Sequence, residues 1–552
     1  MKLNNLFSTL FSCFLIVSII QFGCQETTET PSENDSITQV DSALVVNTIK
    51  TLSDDSFEGR MPFTPGGKKA ISYIETTFKE IGLAPGNEDS YLQEVPMVEI
   101  TSIPDEKMKI SGENGNFELT YLDEYVAGTE RPVEEINIEN SELVFAGFGI
   151  VAPEYNWNDY EGLDVKGKTV IVLVNDPGFG MGDTTFFKGN TMTYYGRWTY
   201  KYEEAARQGA EGVLIVHDTR PASYPWAVVR NGFSGAQLHL IAPEGTYKCG
   251  FQGWIGLEQA MKITKAAGIE SFMGEAKKAD FKPIPMGMSV SFNMKNELQK
   301  NTSKNVVGMI PGTDKKDEYI IYSAHWDHLG IGAPVDGDSI MNGAVDNASG
   351  MGALVGIAKA FKDLPNLPSR SIVFIALTAE EQGLLGSAYY AENPIFPPKQ
   401  TVANINMDAM NHLGRMKDFT IIGYGQSELE DIAEEFAKKQ GRYIVPDEHP
   451  GAGYFFRSDH FNFAKIGIPA LYGKGGLDHI EKGKEWGEAQ YQEHRANNYH
   501  RPSDEYTMAV WDNSGIMEDT QLLLEVGLKI ANDGSYPKWK EGSEFKAIRE
   551  GN

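Results

Sequence analysis

Three apolar runs in the second half of the chain each stop at a histidine or an acid. Tyr319-Ile320-Ile321-Tyr322-Ser323-Ala324 runs into His325-Trp326-Asp327, Ser371 to Thr378 into Ala379-Glu380-Glu381, and Val402 to Met407 into Asp408. Short continuous apolar runs of this kind read as strands buried on both faces. Between the first two lies a helical pattern with Leu354, Ile357, Ala358 and Phe361 on one face. Strand alternating with helix predicts an α/β fold, a mostly parallel mixed sheet flanked by helices. Ligands of such open sheets bind outside the carboxyl ends of the strands. His325, Asp327, Glu380, Glu381 and Asp408 all fall there.

Each of these residues has an ordinary explanation when taken alone. A histidine after a strand is commonly a hydrogen-bonded surface group, and Asp346 in Gly343-Ala344-Val345-Asp346-Asn347-Ala348-Ser349-Gly350 could be a helix N-cap. Convergence changes the argument, because crowded carboxylates raise one another's pKa unless a cation sits among them. Oxygen ligands with imidazole suit zinc, and several carboxylates around one position suit two metal ions. A second imidazole must come from downstream, where spacing alone does not choose among His460, His479, His494 and His500.

Composition narrows the partners. The chain has 552 residues, enough for two or three domains, and 41% hydrophobic residues, enough for sizeable cores. Lys plus Arg number 49 against 77 Asp plus Glu, a net charge of −28 that repels phosphate backbones and argues against nucleic-acid binding. The only cysteines, Cys13, Cys24 and Cys249, exclude a disulfide scaffold and a cysteine-built zinc site.

Lys2, the apolar run Leu10 to Phe22 and Cys24 resemble a bacterial lipoprotein signal, in which the cysteine is lipidated. The resemblance implies an exported protein of the bacterial cell envelope, facing the periplasm or the cell surface and touching the membrane only through its lipid anchor. Farther on, Ile71, Ile74, Phe78 and Ile81 recur at helical spacing up to Gly82. From Leu143 the turns become glycine-rich, with strands over Thr169 to Val174 and Gly212 to Val216 and a helix from about Tyr202 to Gln208. This stretch resembles a protease-associated domain, a β-rich module inserted into secreted peptidases. The expected organisation is a signal over 1–23, a polar linker over 24–39 and a catalytic part over 40–140. The insert follows over 141–295, the metal-bearing catalytic part over 296–535 and a polar tail over 536–552.

The set H-x-D, G-A-x-D-N-A-S-G, E-E-x-G-L-x-G-S, N-x-D and Y-H-x-x-x-D resembles the co-catalytic di-zinc aminopeptidases and their relatives, which include carboxypeptidases and glutaminyl cyclases. Glu58-Gly59-Arg60 and Thr64-Pro65-Gly66 fit the opening of that family. By resemblance, Asp346 bridges two zinc ions, His325 and Asp408 complete one site, and Glu381 and His500 complete the other. Glu380 is then the general base, Asp327 orients His325, Asp504 orients His500, and Tyr499 holds the substrate carbonyl oxygen. The resemblance further implies a cis peptide between Asp346 and Asn347. His460 is read as structural. The expected activity is removal of N-terminal residues from peptide substrates by a zinc-activated water. A carboxypeptidase, a glutaminyl-cyclase-like enzyme and a metal-free binding protein are the alternatives. Arg457 is the nearest candidate to hold a substrate carboxylate.

Overall fold

A computed structural model describes residues 38–551. The expected signal and nearly all of the expected linker lie outside the described residues. In the catalytic part the apolar runs are strands. Lys315–His325 lies between Arg370–Leu377 and Thr401–Asn406, parallel to both, and Ala470–Gly475 continues the parallel order beyond Thr401–Asn406. The end of the long strand Ile284–Ile310 closes the other side, antiparallel to Arg370–Leu377. Every residue of Arg370–Leu377 and Thr401–Asn406 is buried, so neither strand turns a face to solvent, and the buried Asn404 and Asn406 hydrogen-bond to Ser323.

Helices cover the sheet, and sequence dictates their ends. Pro65–Ile81 starts at Thr64, whose hydroxyl accepts from the Gly67 N–H, and stops at Gly82 in the left-handed region. Ser349–Lys362 is buried almost all round. Its Gly352 lets helix Ser42–Leu52 approach, since a Cβ there would sit 2.8 Å from Ile49 Cγ1 and 2.9 Å from the Val45 carbonyl oxygen.

A second hydrophobic core lies outside this sheet. It runs from Met108 and Ile110 through Phe145, Ile171, Leu214 and Phe251 to Phe292 and Met294. The boundary expected at 141 therefore falls inside it. Strands Lys107–Gly112, Gly115–Thr120 and Glu135–Phe145 bury their alternate residues here and pair with one another or with Ile284–Ile310. The two cores are joined by an antiparallel ladder between Leu92–Pro104 and the stretch from Met294 to Val306.

The C-terminal segment is docked rather than a polar tail. Trp539 and Phe545 are buried, the Trp539 indole N–H donates to the Gly467 carbonyl, and Arg549 donates to the carbonyls of Pro398 and Thr401. Among the described residues no helix is long and apolar enough to cross a membrane.

Candidate metal centre

The carboxyl ends of three parallel strands bring the acids and imidazoles together. His325 ends its strand with Nε2 3.3 Å from Asp346 Oδ1, 3.5 Å from Asp408 Oδ1 and 3.9 Å from Glu380 Oε2. His500 arrives from the segment after helix Lys484–Asn497, with Nε2 3.1 Å from Glu381 Oε2 and 3.5 Å from Asp346 Oδ2. Asp346 thus turns one oxygen to each imidazole.

The Asp346 loop is held from below. The peptide bond between Asp346 and Asn347 is cis. The Asn347 side chain donates to the Met407 carbonyl and accepts from the N–H groups of Gly350 and Ala409, which fixes the loop against the one carrying Asp408. Gly350 is required there, since a Cβ would lie 2.2 Å from Asn347 Oδ1 and 2.4 Å from the Met407 carbonyl oxygen.

Burial and charge separate the two adjacent glutamates. Glu380 is pushed well above the ordinary carboxyl range by burial, with Asp408 and Glu381 adding to the rise. Burial and the Asp346 charge push Glu381 up too, but His328 and His500 outweigh them and hold it at about 2. Burial opposes a charge on His500, yet Asp346 and Glu381 lift it to about 10. Each group thus leans on its neighbours for countercharge.

Two expected supporting contacts are formed differently. Asp327 does not accept from the His325 ring, as its Oδ1 stands 3.9 Å from Nδ1 and its backbone carbonyl is nearer, at 3.3 Å. Its carboxylate accepts instead from the Glu380 N–H at 3.0 Å, with the Glu381 N–H at 3.4 Å, and so places the glutamate pair. Asp504 does not hold His500. It accepts from the N–H groups of Val345 and Asp346 at 3.0 and 3.1 Å, and so places the Asp346 loop. Tyr499 stacks on His500 with ring centroids 3.8 Å apart, leaving its ring half-exposed at the cavity wall.

Two supporting roles emerge only from the structure. His328 is fully buried, and its Nδ1 lies 2.6 Å from Glu381 Oε1. Its position directly after His325-Trp326-Asp327 was the available sequence signal. Arg60, also buried, donates to the carbonyls of Leu52, Trp326, Asn342 and Gly343, tying the His325 loop to the Asp346 loop. His460 is buried between Phe455 and Tyr472, and burial pushes it down to about 3, so it is a neutral core residue.

The donor set fits metal ions. His325, Glu380 and Asp408 form one group able to hold a cation, and His328, Asp346 and Glu381 another, the ligand atoms in each lying within 4.8 Å of one another. Nε2 of His325, His328 and His500 are buried and make no hydrogen bond. The bare Nε2 atoms of His325 and His500 face Asp346, Asp408 and Glu381, which is what zinc coordination requires. The centre opens on a cavity of about 1220 Å³ whose walls come from both cores.

Residues 305–524 match the family model described as Peptidase family M28. The chain is similar to aminopeptidase NAALADL1 of Mus musculus, 36% identical over 130 residues, which are 23% of this chain and 16% of that protein. It is similar to the glutamate carboxypeptidase 2 homolog of Caenorhabditis elegans, 33% identical over 129 residues, covering 22% and 15% of the two chains. Aminopeptidase YwaD of Bacillus subtilis (strain 168) is 30% identical over 134 residues, covering 24% and 27%. The match therefore spans about a sixth of the first relative's length. Among solved structures, an aminopeptidase from Aneurinibacillus sp. strain AM-1 aligns with a TM-score of 0.48 at 21% identity, over 92% of this chain and 96% of that one. The stretch that matches the Peptidase family M28 model begins before the strand that delivers His325 and reaches past His500 and Asp504, so the whole donor set lies inside it.

Proposed function

We propose that this protein is a zinc-dependent aminopeptidase that binds two zinc ions per chain and removes N-terminal residues from peptides. One observation carries the reading: Asp346 turns one oxygen to His325 at 3.3 Å and the other to His500 at 3.5 Å, the arrangement of a carboxylate shared between two ions. Asp408 would complete the His325 side and Glu381 the His500 side. When bound, the metal supplies Lewis acidity, which acidifies water and polarises a peptide carbonyl.

The chain's own groups do the rest. Glu380, next to a ligand and buried beside Asp408 and Glu381, takes a proton from the attacking water as a carboxylate and passes it to the leaving amine. Asp327 keeps that carboxyl in place through the backbone. Tyr499, protonated at neutral pH, stands at the cavity wall where it can donate to the carbonyl oxygen. Asp346, Glu380, Glu381 and Asp408 balance the charge of two divalent ions, so the loaded site is not strongly positive and accepts a substrate ammonium. Two of the relatives named above are called aminopeptidases, which supports this choice. The reading also places the mature protein in the bacterial cell envelope, anchored at Cys24.

The test pairs metal analysis with hydrolysis. Active protein should carry two zinc ions and lose activity to a chelator, and acetylating a peptide's N-terminus should abolish cleavage. Cleavage that survives acetylation but not C-terminal amidation would make the enzyme a carboxypeptidase.

A further inference from the structure

The wall of the cavity holds an unbalanced pair of cations. Arg197, from the second core's loops, and Arg457, from the catalytic part, line the same cavity as Glu380 and Asp408. Two other cations of that wall are matched by acids, Lys248 with Glu130 at 2.6 Å and Lys465 with Glu203 at 2.9 Å, while Lys474 donates to the carbonyls of Asp408 and Ala409. Among the described residues, no carboxylate comes within ion-pair distance of Arg197 or Arg457, although the chain carries 77 acids. Nε of each is buried without a hydrogen-bond partner. Arg457 spends one donor on the Ala452 carbonyl at 2.6 Å, and Arg197 lies only beside the Trp198 ring, 5.9 Å from its centre.

The two guanidinium groups are close enough to act on each other. Burial lowers Arg197 to about 10, with the Arg457 charge adding to the fall, and both cations act on the Tyr224 hydroxyl. Arg495 adds a third positive group, its Nη1 2.7 Å from the hydroxyl of Tyr454, the ring that Arg457 overlies. Two half-buried like charges with spare N–H donors are costly unless an anion joins them. The planar fork of a guanidinium matches a carboxylate with two parallel hydrogen bonds.

We propose that Arg197 and Arg457 form a carboxylate subsite for the far end of a short peptide whose N-terminus lies at the acids of the metal centre. The carboxylate is either the peptide's own C-terminus or an acidic side chain. This deepens the aminopeptidase reading and rests on it. A cavity acidic at one end and cationic at another reads a zwitterion, so the enzyme selects peptides a few residues long. Because one arginine comes from each core, the subsite exists only when the insert is in place.

The test uses the zinc-loaded full chain and matched substrates. Leu-Gly-Gly against its C-terminal amide reports the C-terminal source, and Leu-Gly-Glu-amide against Leu-Gly-Gln-amide reports the side-chain source. One pair should show a preference in kcat/KM of roughly 10- to 100-fold, the range of a charged hydrogen bond. The preference should reside in KM. Arg197→Met and Arg457→Met should each shrink the acid-to-neutral ratio, and Arg197→Lys should restore part of it. Judging each variant by that ratio cancels any general loss of active protein. A ratio near one for both pairs in the wild-type enzyme, or ratios untouched by either variant, would overturn the subsite. N-acetyl-Leu-Gly-Gly separates the two readings, since its cleavage would sink the aminopeptidase assignment while leaving the arginine ratios to be judged alone.

Discussion

Glu380 and Glu381 are neighbours in sequence with opposite electrostatic surroundings, and substitution separates their roles. Glu380→Gln removes the proton carrier but no expected ligand, so turnover should fall roughly 10²–10⁴-fold while bound zinc stays near wild-type. Glu381→Gln should release metal, measured as zinc per chain after dialysis. Equal zinc loss in both would erase the distinction. Arg60→Met makes no change at the reacting atoms, yet strips four carbonyls of their donor. It should cost about 3 kcal/mol or more in urea unfolding and weaken metal retention, because the His325 and Asp346 loops lose their common tie. His325, Glu381 and Asp408 were legible in the sequence because each sits at or just after the end of an apolar run, whereas Asp346 and His500 were picked out only by the family resemblance. The supporting contacts were not legible. Asp327 lies two residues from His325, but the strand ends at His325, so the two-residue alternation that would point both side chains the same way no longer applies.

Strands and helices followed the apolar pattern closely. The run expected from Val402 is the strand Thr401–Asn406, and the face with Leu354, Ile357 and Phe361 belongs to helix Ser349–Lys362. The insert boundary was harder, because alternating strands such as Lys107–Gly112 show which residues turn inward but not which core receives them. The short helix His460–Lys465 carries a pH liability. His460 is held near pKa 3 against about 6.5 in an unfolded chain, so only the unfolded state gains a proton as pH falls. The folded state therefore loses ground from about pH 6.5 down to about 3, by about 2 kcal/mol at pH 5. Urea unfolding at pH 7 and pH 5 should show a smaller acid penalty in His460→Asn than in wild-type, even if the variant starts less stable.

At the level of the molecule, the last residues act as a clasp on the catalytic part. Trp539 and Phe545 pack with Phe455, Phe461 and Ala464, beneath the segment that carries Arg457. Trp539→Ala should lower stability by about 3–5 kcal/mol, as for other buried aromatics, read as a drop in Tm. The segment's charged composition hid this contact, although two large aromatics among charges were the available clue.

The ladder between Leu92–Pro104 and Ile284–Ile310 makes the second core a graft on a stem. Pro104 and Met294 face each other across it, and the Asp105 N–H donates to the Asn293 carbonyl at 2.8 Å. The chain thus leaves and re-enters the catalytic part at points about 5 Å apart, the gap a two-residue turn closes. Cutting out 105–293 and sealing the stem with Asn-Gly should leave a shorter hydrolase that still loads zinc, at the expense of baring Val95 and Met97, which now pack under Leu238. Stripped of one wall, it should trade selectivity for reach and accept long, unfolded chains that the intact protein turns away.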